Sequence, residues 1–329
     1  MSVSSPLAPE APACAGLADP ARSRTHFRWI FLGLAVALIV LPALVYPIFL
    51  MKLLCFALFA IAFNLLLGHC GLLSFGHAAF FGAGGYVAAY AALVWRLPPE
   101  AAVALGTLAG IVLGAVFGAL ATRRQGIYLT MVTLGLAQLV YFVALRSPFT
   151  GAEDGIQNVP RGNLFGLIDL KNDVTLYFVI ATVFFAVLML TYRLAFSPFG
   201  QVLRAIRGNE PRAISLGLDV RSYKLAVFVI SAGLSGLAGS MKAIVFQIAS
   251  LVDVHIATSG EVVLMTLVGG VGTILGPIVG ASVIVISQNY LAGFGEWVVF
   301  LQGLIFVISV LLFRDGIVGV LSRKIGRPL

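Results

Sequence analysis

The chain has few charged residues and few cysteines for its length. Only 10% of its 329 residues are Asp, Glu, Lys or Arg, whereas 60% are hydrophobic. Together with a mean hydropathy of +1.05, this composition excludes an ordinary soluble globular domain, in which about a quarter of the residues are charged. The three cysteines, Cys14, Cys55 and Cys70, are odd in number and lack paired spacing, which argues against a disulfide framework.

Long hydrophobic runs dominate the sequence, and several exceed the roughly eighteen residues that a helix needs to cross a bilayer. The sequence therefore predicts an all-α polytopic membrane protein with about eight to ten transmembrane helices, some of them broken by glycine. The predicted spans are 28–50, 52–67, 76–95, 99–121, 126–146, 174–194, 224–246, 261–271, 275–290 and 297–313. The pair 261–271 and 275–290 fits either two short crossings or one re-entrant hairpin.

The arrangement of basic residues predicts how the chain is organised across the membrane. Residues 1–27 are rich in Pro, Ala and Ser and predict a disordered tail, 28–316 form one transmembrane domain, and 317–329 form a second tail. Fifteen of the 21 Lys and Arg residues lie in or directly beside the two tails, in the 123–124 turn and in segment 193–224. This bias predicts that these parts, including both termini, are cytoplasmic and that loop 147–173 is extracytoplasmic. Cytoplasmic loops explain the positive charge better than a nucleic-acid site does.

Glycine is concentrated in three places, each with its own expected use. Gly106, Gly110, Gly114 and Gly118 recur every fourth residue and predict a helix face for close packing. Six glycines within 68–86 and a second cluster at 269–277 interrupt apolar segments in both halves of the chain. Such interruptions favour either close helix packing or a translocation path between the halves.

The segment 197–224 is unusually polar for this chain, with seven of its 34 charged residues. Its apolar residues have the spacing of one helix face: Phe199, Val202, Leu203 and Ile206. Asn209 and Asp219 are suited to begin helices, and Gly217 is suited to end one, so the pattern predicts two short helices before the next span. Such an element either rests on lipid headgroups or docks a soluble partner. We favour docking, because a structured pair of helices exceeds what a soluble loop needs.

Five blocks of sequence resemble one known family in their order along the chain. They are NLLLGHCGLLSFGHAAFFGAGGYVAA (64–89), GIYLTMVTLGLAQ (126–138), TGAEDGIQNVPR (150–161), SPFGQVLRAIRGNEPRAISLGLDVRSYKLAVFVISAGLSGLAGSM (197–241) and SGEVVLMTLVGGVGTILGPIVGA (259–281). The chain resembles the permease subunits of ATP-binding-cassette importers for branched-chain amino acids, specifically the longer of the two paired subunit types.

The resemblance implies a membrane permease in the bacterial inner membrane and a set of partners. These are membrane lipid, a homologous permease subunit, two ATPase subunits that bind ATP and Mg, and an extracytoplasmic substrate-binding protein. It implies no cofactor or metal in this chain and no nucleic acid. The chain is not expected to be an enzyme, since none of its lysines follows the glycine that a phosphate-binding loop requires. Contacts with the ATPase are expected from Phe199, Arg204, Ile206, Arg207, Glu210, Ala213 and Gly217.

A path for leucine, isoleucine or valine needs modest polarity for the charged ends of the amino acid. The candidate path residues are Ser74, His77, Thr130, Thr133, Gln138, Glu261, Thr266, Gly269 and Gly270. The alternative for the polar side chains is interhelical hydrogen bonding, and for Glu261 it is a helix-end position that complements the dipole. His69 and His77 lack the spacing and the third ligand of a metal site. Urea, short amides or other amino acids are alternative cargoes, and a stand-alone ion-coupled carrier is the alternative class.

Overall fold

The computed structural model describes residues 20–124, 126–164, 166, 168–291 and 316–325, together with 293, 300, 303–304, 307 and 311. Helices dominate these residues, which confirms the prediction of an all-α membrane protein. The helices are α1 (Pro20–Leu44), α2 (Pro47–Asn64), α3 (His77–Leu93), α4 (Pro99–Ala121), α5 (Ile127–Arg146), α6 (Asp173–Phe196), α7 (Pro198–Gly208), α8 (Glu210–Ser215), α9 (Val220–Phe246), α10 (Ile256–Gly269), α11 (Gly276–Leu291) and α12 (Gly316–Ile325). A π-helical turn, Leu65–Cys70, extends α2.

Five of the described helices are long and apolar enough to cross a membrane. They are Pro47–Cys70, Pro99–Ala121, Ile127–Arg146, Asp173–Phe196 and Val220–Phe246. Shorter apolar helices cover Trp29–Leu44, Ile256–Gly269 and Gly276–Leu291. The break between α10 and α11 falls at the predicted glycines, whereas most of the predicted span 297–313 lies outside the described residues.

Helix α9 lies at the centre of the compact unit that begins at Pro42, packed against α2, α3 and α4. The predicted glycine face of α4 makes one of these contacts. A methyl group added at Gly110 would lie 2.7 Å from the carbonyl oxygen of Ala232 on α9, and one at Gly106 would overlap the hydroxyl of Ser240. The two backbones therefore approach too closely for any larger residue, which confirms the packing predicted from the four-residue spacing.

One end of the helix bundle carries short strands, and we call it the strand end. Strand β1 (Ile156–Gln157) pairs antiparallel with β4 (Ile248–Ala249), which directly follows α9. Strands β2 (Asn163–Leu164) and β3 (Ile168–Asp169) form a second small pair. Arg161 donates to the carboxylate of Asp173 at 2.6 Å and to the carbonyl of Val245 at 2.9 Å. The loop 147–173 is therefore pinned to the end of α9 rather than free in solvent.

The predicted tails begin at different residues in the structure. Helix α1 begins at Pro20 rather than at 28, because a proline is well tolerated in the first turn, where a backbone N–H would lack a helical partner. Residues 20–27 are thus helical, and 1–19 lie outside the described residues. Part of the predicted tail 317–329 is also helical, because it belongs to α12. This helix packs against α10 and α11, and Val318 is buried there.

Candidate functional site

The predicted cytoplasmic element consists of helices α7 and α8 and the turn that follows them, and we call residues 198–217 the coupling element. Ser197 caps α7 by accepting a hydrogen bond from the backbone N–H of Gly200 at 3.3 Å, and Pro198 occupies the first turn. Leu203 and Ile206 are buried, with 1% and 3% of their surfaces exposed. The predicted apolar face of α7 therefore packs against the rest of the chain.

Helix α8 has the boundaries that its sequence predicts. Asn209 accepts a hydrogen bond from the backbone N–H of Arg212 at 3.0 Å. Gly217 has φ +80°, the left-handed conformation that favours glycine, and Leu218 then donates to the carbonyl of Ala213 at 3.2 Å. Asp219 caps α9 through the backbone N–H of Ser222. Hydrogen bonds from the hydroxyl and the backbone of Ser222 lower the pKa of the Asp219 carboxyl.

A buried ion pair joins α8 to α9. The ammonium of Lys224 lies 2.6 Å from an oxygen of Glu210, and the two side chains are 4% and 22% exposed. Close to it, Ile206, Ala213 and Val220 form an apolar cluster. A buried lysine requires a partner, since an isolated charge in an apolar environment is costly. Glu210 therefore helps to attach the coupling element to the bundle.

The two arginines of α7 also contact the chain itself. Arg204 donates to the carbonyl of Ala195 at 2.9 Å and lies 5.7 Å from the ring centre of Phe196. Arg207 donates to the carbonyl of Gly68 in the π-helical turn. Phe199, another expected contact residue, stacks on Tyr223 with ring centres 5.6 Å apart. These contacts hold α7 in place. Arg204 and Arg207 are still exposed, so their contact with the ATPase stays a prediction.

An exposed apolar surface of the coupling element lies at the end of α8 and in the turn that follows it. Ile214 and Leu216 are 56% and 74% exposed, and Arg212 is exposed beside them. A groove of about 460 Å³ adjoins them, lined by charged residues that include Arg123 and Arg221. Sequence reasoning did not single out Ile214 or Leu216, because α8 has too few residues for a helical periodicity to be visible.

Arg207 reaches a junction between the two glycine clusters. The side chain of Asn64, at the end of α2, donates to the carbonyl of Thr273 at 2.8 Å and accepts from the N–H of Gly272 at 2.9 Å. A methyl group at Gly68 would lie 2.7 Å from the Gly272 nitrogen. Asn64 thus satisfies the non-helical backbone between α10 and α11, as backbone at membrane depth requires. No local pattern points to Asn64, because its partners lie more than 200 residues away along the chain.

Thr130 and Thr133 on α5 form hydrogen bonds with the non-helical backbone between the π-helical turn and α3. Thr130 donates to the carbonyl of Leu73 at 3.1 Å, and Thr133 accepts from the N–H of Phe75 at 3.3 Å. Ser259 on α10 donates to the carbonyl of Phe75 at 2.7 Å. The two threonines therefore make structural hydrogen bonds between segments, as their alternative role predicts. Their role as path residues stays a prediction.

Other candidate path residues are fully buried in this structure. Ser74, His77 and Thr266 have 0% of their surfaces exposed. Ser231 donates its hydroxyl to the carbonyl of Ala62 at 2.5 Å, so it accepts from His77 Nε2, 2.8 Å away. Thr266 donates to the carbonyl of Val262 in its own helix. These three side chains would contact a substrate only after a rearrangement of the helices.

The remaining candidates lie on α5 and along the broken pair. Gln138 and Glu261 are partly exposed. Gly270 has φ +120° and ends α10, while a methyl group at Gly269 would overlap the backbone of Gly276. These two glycines permit the tight approach of α10 and α11. Their role as path residues stays a prediction.

Comparisons with known proteins agree on one family. A family model described as branched-chain amino acid transport system, permease component, matches residues 46–310. The high-affinity branched-chain amino acid transport system permease protein LivM of Escherichia coli K12 is 29% identical over 290 residues, which cover 80% of this chain and 67% of that protein. LivM of Salmonella typhimurium LT2 is 27% identical with the same coverage. The ribose import permease protein RbsC of Haemophilus influenzae is 26% identical over 208 residues, 60% of this chain and 62% of that protein. No solved structure matches the chain.

Proposed function

Because the chain belongs to the branched-chain amino acid transport permease family, we propose that it is one membrane subunit of an ATP-driven importer for leucine, isoleucine and valine. The cargo and the energy source extend the family assignment and rest on the features below. The long, apolar helices agree with a multi-pass protein of the inner membrane.

The observation that carries the proposal is the construction of the coupling element. One side of it is fixed to the bundle by Leu203, Ile206 and the Lys224–Glu210 ion pair. The other side presents Ile214 and Leu216 to solvent. A headgroup-resting helix would turn its apolar residues toward lipid, whereas an apolar pair rimmed by arginines suits a protein partner. We assign this surface to the ATPase subunit.

The distribution of charge supports the orientation that the proposal needs. The coupling element and the 123–124 turn carry clustered arginines, which favours a cytoplasmic position for their end of the bundle. The strand end then faces the outside, where loop 147–173 is a candidate contact for the substrate-binding protein. Both termini would be cytoplasmic.

The mechanism we propose is alternating access driven by the partner subunits. Two ATPase subunits bind ATP with Mg and close, and this closure moves the coupling elements of this chain and of a homologous permease subunit. Arg207 would pass the movement to the junction at Gly68 and Gly272, since it contacts the first and lies beside the second. Packed helices then move as units, as in other switching proteins.

The test uses the assembled importer in vesicles, with substrate-binding protein and labelled leucine. We expect uptake only when the ATPase subunits and ATP are present. The double variant Ile214→Asp/Leu216→Asp should insert normally but lose ATPase association and uptake, because its two substitutions leave the buried side of the element intact. Val252→Asp, which changes a 70% exposed residue at the strand end, should keep ATPase association.

Three results would contradict the proposal. Uptake without ATPase subunits that is abolished by a protonophore would indicate an ion-coupled carrier. Full ATPase association of the double variant would show that the surface docks nothing. Competition by unlabelled urea or short amides, but not by leucine, would assign a different cargo.

A further inference from the structure

Four charged side chains converge at the strand end of the bundle, although they come from distant parts of the chain. Lys52 lies in the second turn of α2, Lys242 in the last turns of α9, and Glu261 in the second turn of α10. Asp253 lies in the 3₁₀ turn Leu251–Asp253 that precedes α10. Charged residues within apolar helices are costly, and by default they indicate a functional site.

Two of the four form a structural pair. Lys242 donates to Asp253, and the two side chains are 15% and 12% exposed. Ser250 donates to the second oxygen of Asp253 at 3.3 Å. The pair ties the turn to α9, next to strand β4. Its charges satisfy each other directly, so it needs no ligand.

Lys52 and Glu261 are arranged differently. They lie in the second turns of α2 and α10, two helices that pack against each other, and their charges interact with each other and with Lys242. Within the described part of the chain, neither forms a direct ion pair, and the ammonium of Lys52 has no hydrogen-bonding partner. Both side chains are partly exposed.

The hydroxyl group of Tyr86 lies beside this cluster of charges. Tyr86 is 5% exposed, and its oxygen is buried without a hydrogen-bonding partner among the described residues. It interacts electrostatically with Asp253 and Tyr141. A buried hydroxyl without a partner is uncommon, because the lost hydrogen bond to water is not replaced. A ligand that brings its own polar atoms would satisfy it.

We propose that Lys52 and Glu261 form an entry site for a free α-amino acid, with Lys52 binding the α-carboxylate and Glu261 the α-ammonium. A zwitterion places opposite charges on neighbouring atoms, so it fits between an ammonium and a carboxylate that do not pair directly. The two lysines and two acids balance in charge, so a neutral zwitterion leaves the site neutral, whereas an anion or cation alone does not. This inference rests on the proposed function, since it names where imported amino acid first binds the permease.

The test measures which end of the ligand each residue recognises. The assembled importer without binding protein is placed in nanodiscs, and binding of labelled leucine is competed by leucine, by leucinol, which lacks the carboxylate, and by 4-methylpentanoate, which lacks the ammonium. In the unmodified protein both analogues should compete at least about tenfold more weakly than leucine, since each loses a charge-assisted contact.

The variants should separate the preference for leucine over leucinol from the preference for leucine over 4-methylpentanoate. Lys52→Gln should bring leucinol close to leucine while leaving the preference over 4-methylpentanoate, and Glu261→Gln should do the reverse. Lys52→Arg should keep both preferences, and the control Arg146→Gln, an exposed charge at the end of α5, should change neither. A variant that misfolds would lose leucine binding and both preferences together. Its failure to assemble with the ATPase would identify it as misfolded.

The outcomes distinguish this inference from the proposed function. If the importer transports leucine but the two variants keep both preferences, or an assembled variant loses them together, the entry site is refuted while the function stands. If the unmodified importer transports leucine and binds none without its binding protein, the entry site is refuted as well. If it transports no amino acid at all, the proposed function fails and the entry site fails with it.

Discussion

Replacing Glu210 by glutamine would leave the ammonium of Lys224 buried without its carboxylate partner. Lys224 is 3% exposed as a whole residue, and its ammonium lies 2.6 Å from Glu210. Breaking a fully buried ion pair by removing one partner costs about 3–5 kcal/mol. Glu210 is 22% exposed and glutamine can still accept a hydrogen bond, so we expect about 2 kcal/mol here.

This free energy should appear as local opening of the coupling element rather than as unfolding of the whole protein. A change of about 2 kcal/mol raises the equilibrium constant for opening by roughly 30-fold. Hydrogen exchange of peptides covering residues 209–219, followed by mass spectrometry in detergent or nanodiscs, measures that constant. Peptides from α2 and α4 should exchange as in the unmodified protein.

Two further variants make the measurement specific to the ion pair. Glu210→Gln/Lys224→Met removes both charges, and it should restore most of the protection because no unpaired charge stays buried. Asp173→Asn breaks the Arg161–Asp173 pair at the strand end, and it should leave residues 209–219 unchanged. Less than about a threefold effect of Glu210→Gln, or a double variant as poorly protected as the single one, would refute the reasoning.

Three other predictions follow from single contacts. Gly110→Ala should lower the thermal stability of the solubilised protein, because its methyl group would meet the backbone of α9. The control Gly135→Ala on α5, with nothing within 4 Å, should stabilise the protein by about 0.5–1 kcal/mol. A Gly110→Ala protein more stable than the Gly135→Ala protein would contradict the packing of α4 on α9. Arg207→Gln should preserve ATP hydrolysis but reduce leucine taken up per ATP several-fold, and unchanged coupling would exclude the contact with Gly68 as a link. The lowered pKa of Asp219 means that its cap stabilises α9 above the ordinary carboxylate pKa and loses this effect as pH falls through the lowered value. The protection factor of the first turn of α9, which corrects the exchange rate for its intrinsic pH dependence, should therefore fall on acidification in the unmodified protein. It should stay constant in Asp219→Asn, which caps without a charge.

The helices could be predicted from sequence because their determinants are local. The span 99–121 matches α4 at both ends, since proline marks its start and apolar residues continue to the basic turn. The caps at Asn209, Gly217 and Asp219 were likewise predicted and confirmed, because each depends on hydrogen bonds within a few residues. Glycine spacing on α4 predicted a packed face without naming its partner.

The contacts between distant segments could not be predicted in the same way. Arg204 and Arg207 donate to carbonyls of distant or neighbouring segments of the chain, which the sequence did not indicate, while their expected contact with a partner protein stays a prediction. Periodicity shows which side chains share a helix face, but it does not show what packs against that face. Asn64 was missed for the same reason: an asparagine in an apolar run has no local pattern that points to the break at Gly272 and Thr273.

Helices α2 and α10 connect the junction at Asn64 and Gly272 to the charged cluster at the strand end. This arrangement links movements at the two ends of the bundle. Helix α2 carries Lys52 near one end and Asn64 at the other, a separation of about 18 Å at 1.5 Å per residue. Helix α10 carries Glu261 and ends at the break that Asn64 satisfies, and α11 begins beyond that break and carries Gln288. A displacement of α7 that pulls Arg207 would act on α2 and on the break together. If these helices move as rigid units, the distance between Lys52 and Glu261 must change whenever α2 and α10 shift by different amounts. Release of a bound zwitterion would then need no separate trigger at the strand end, because separating its two partners weakens both contacts at once.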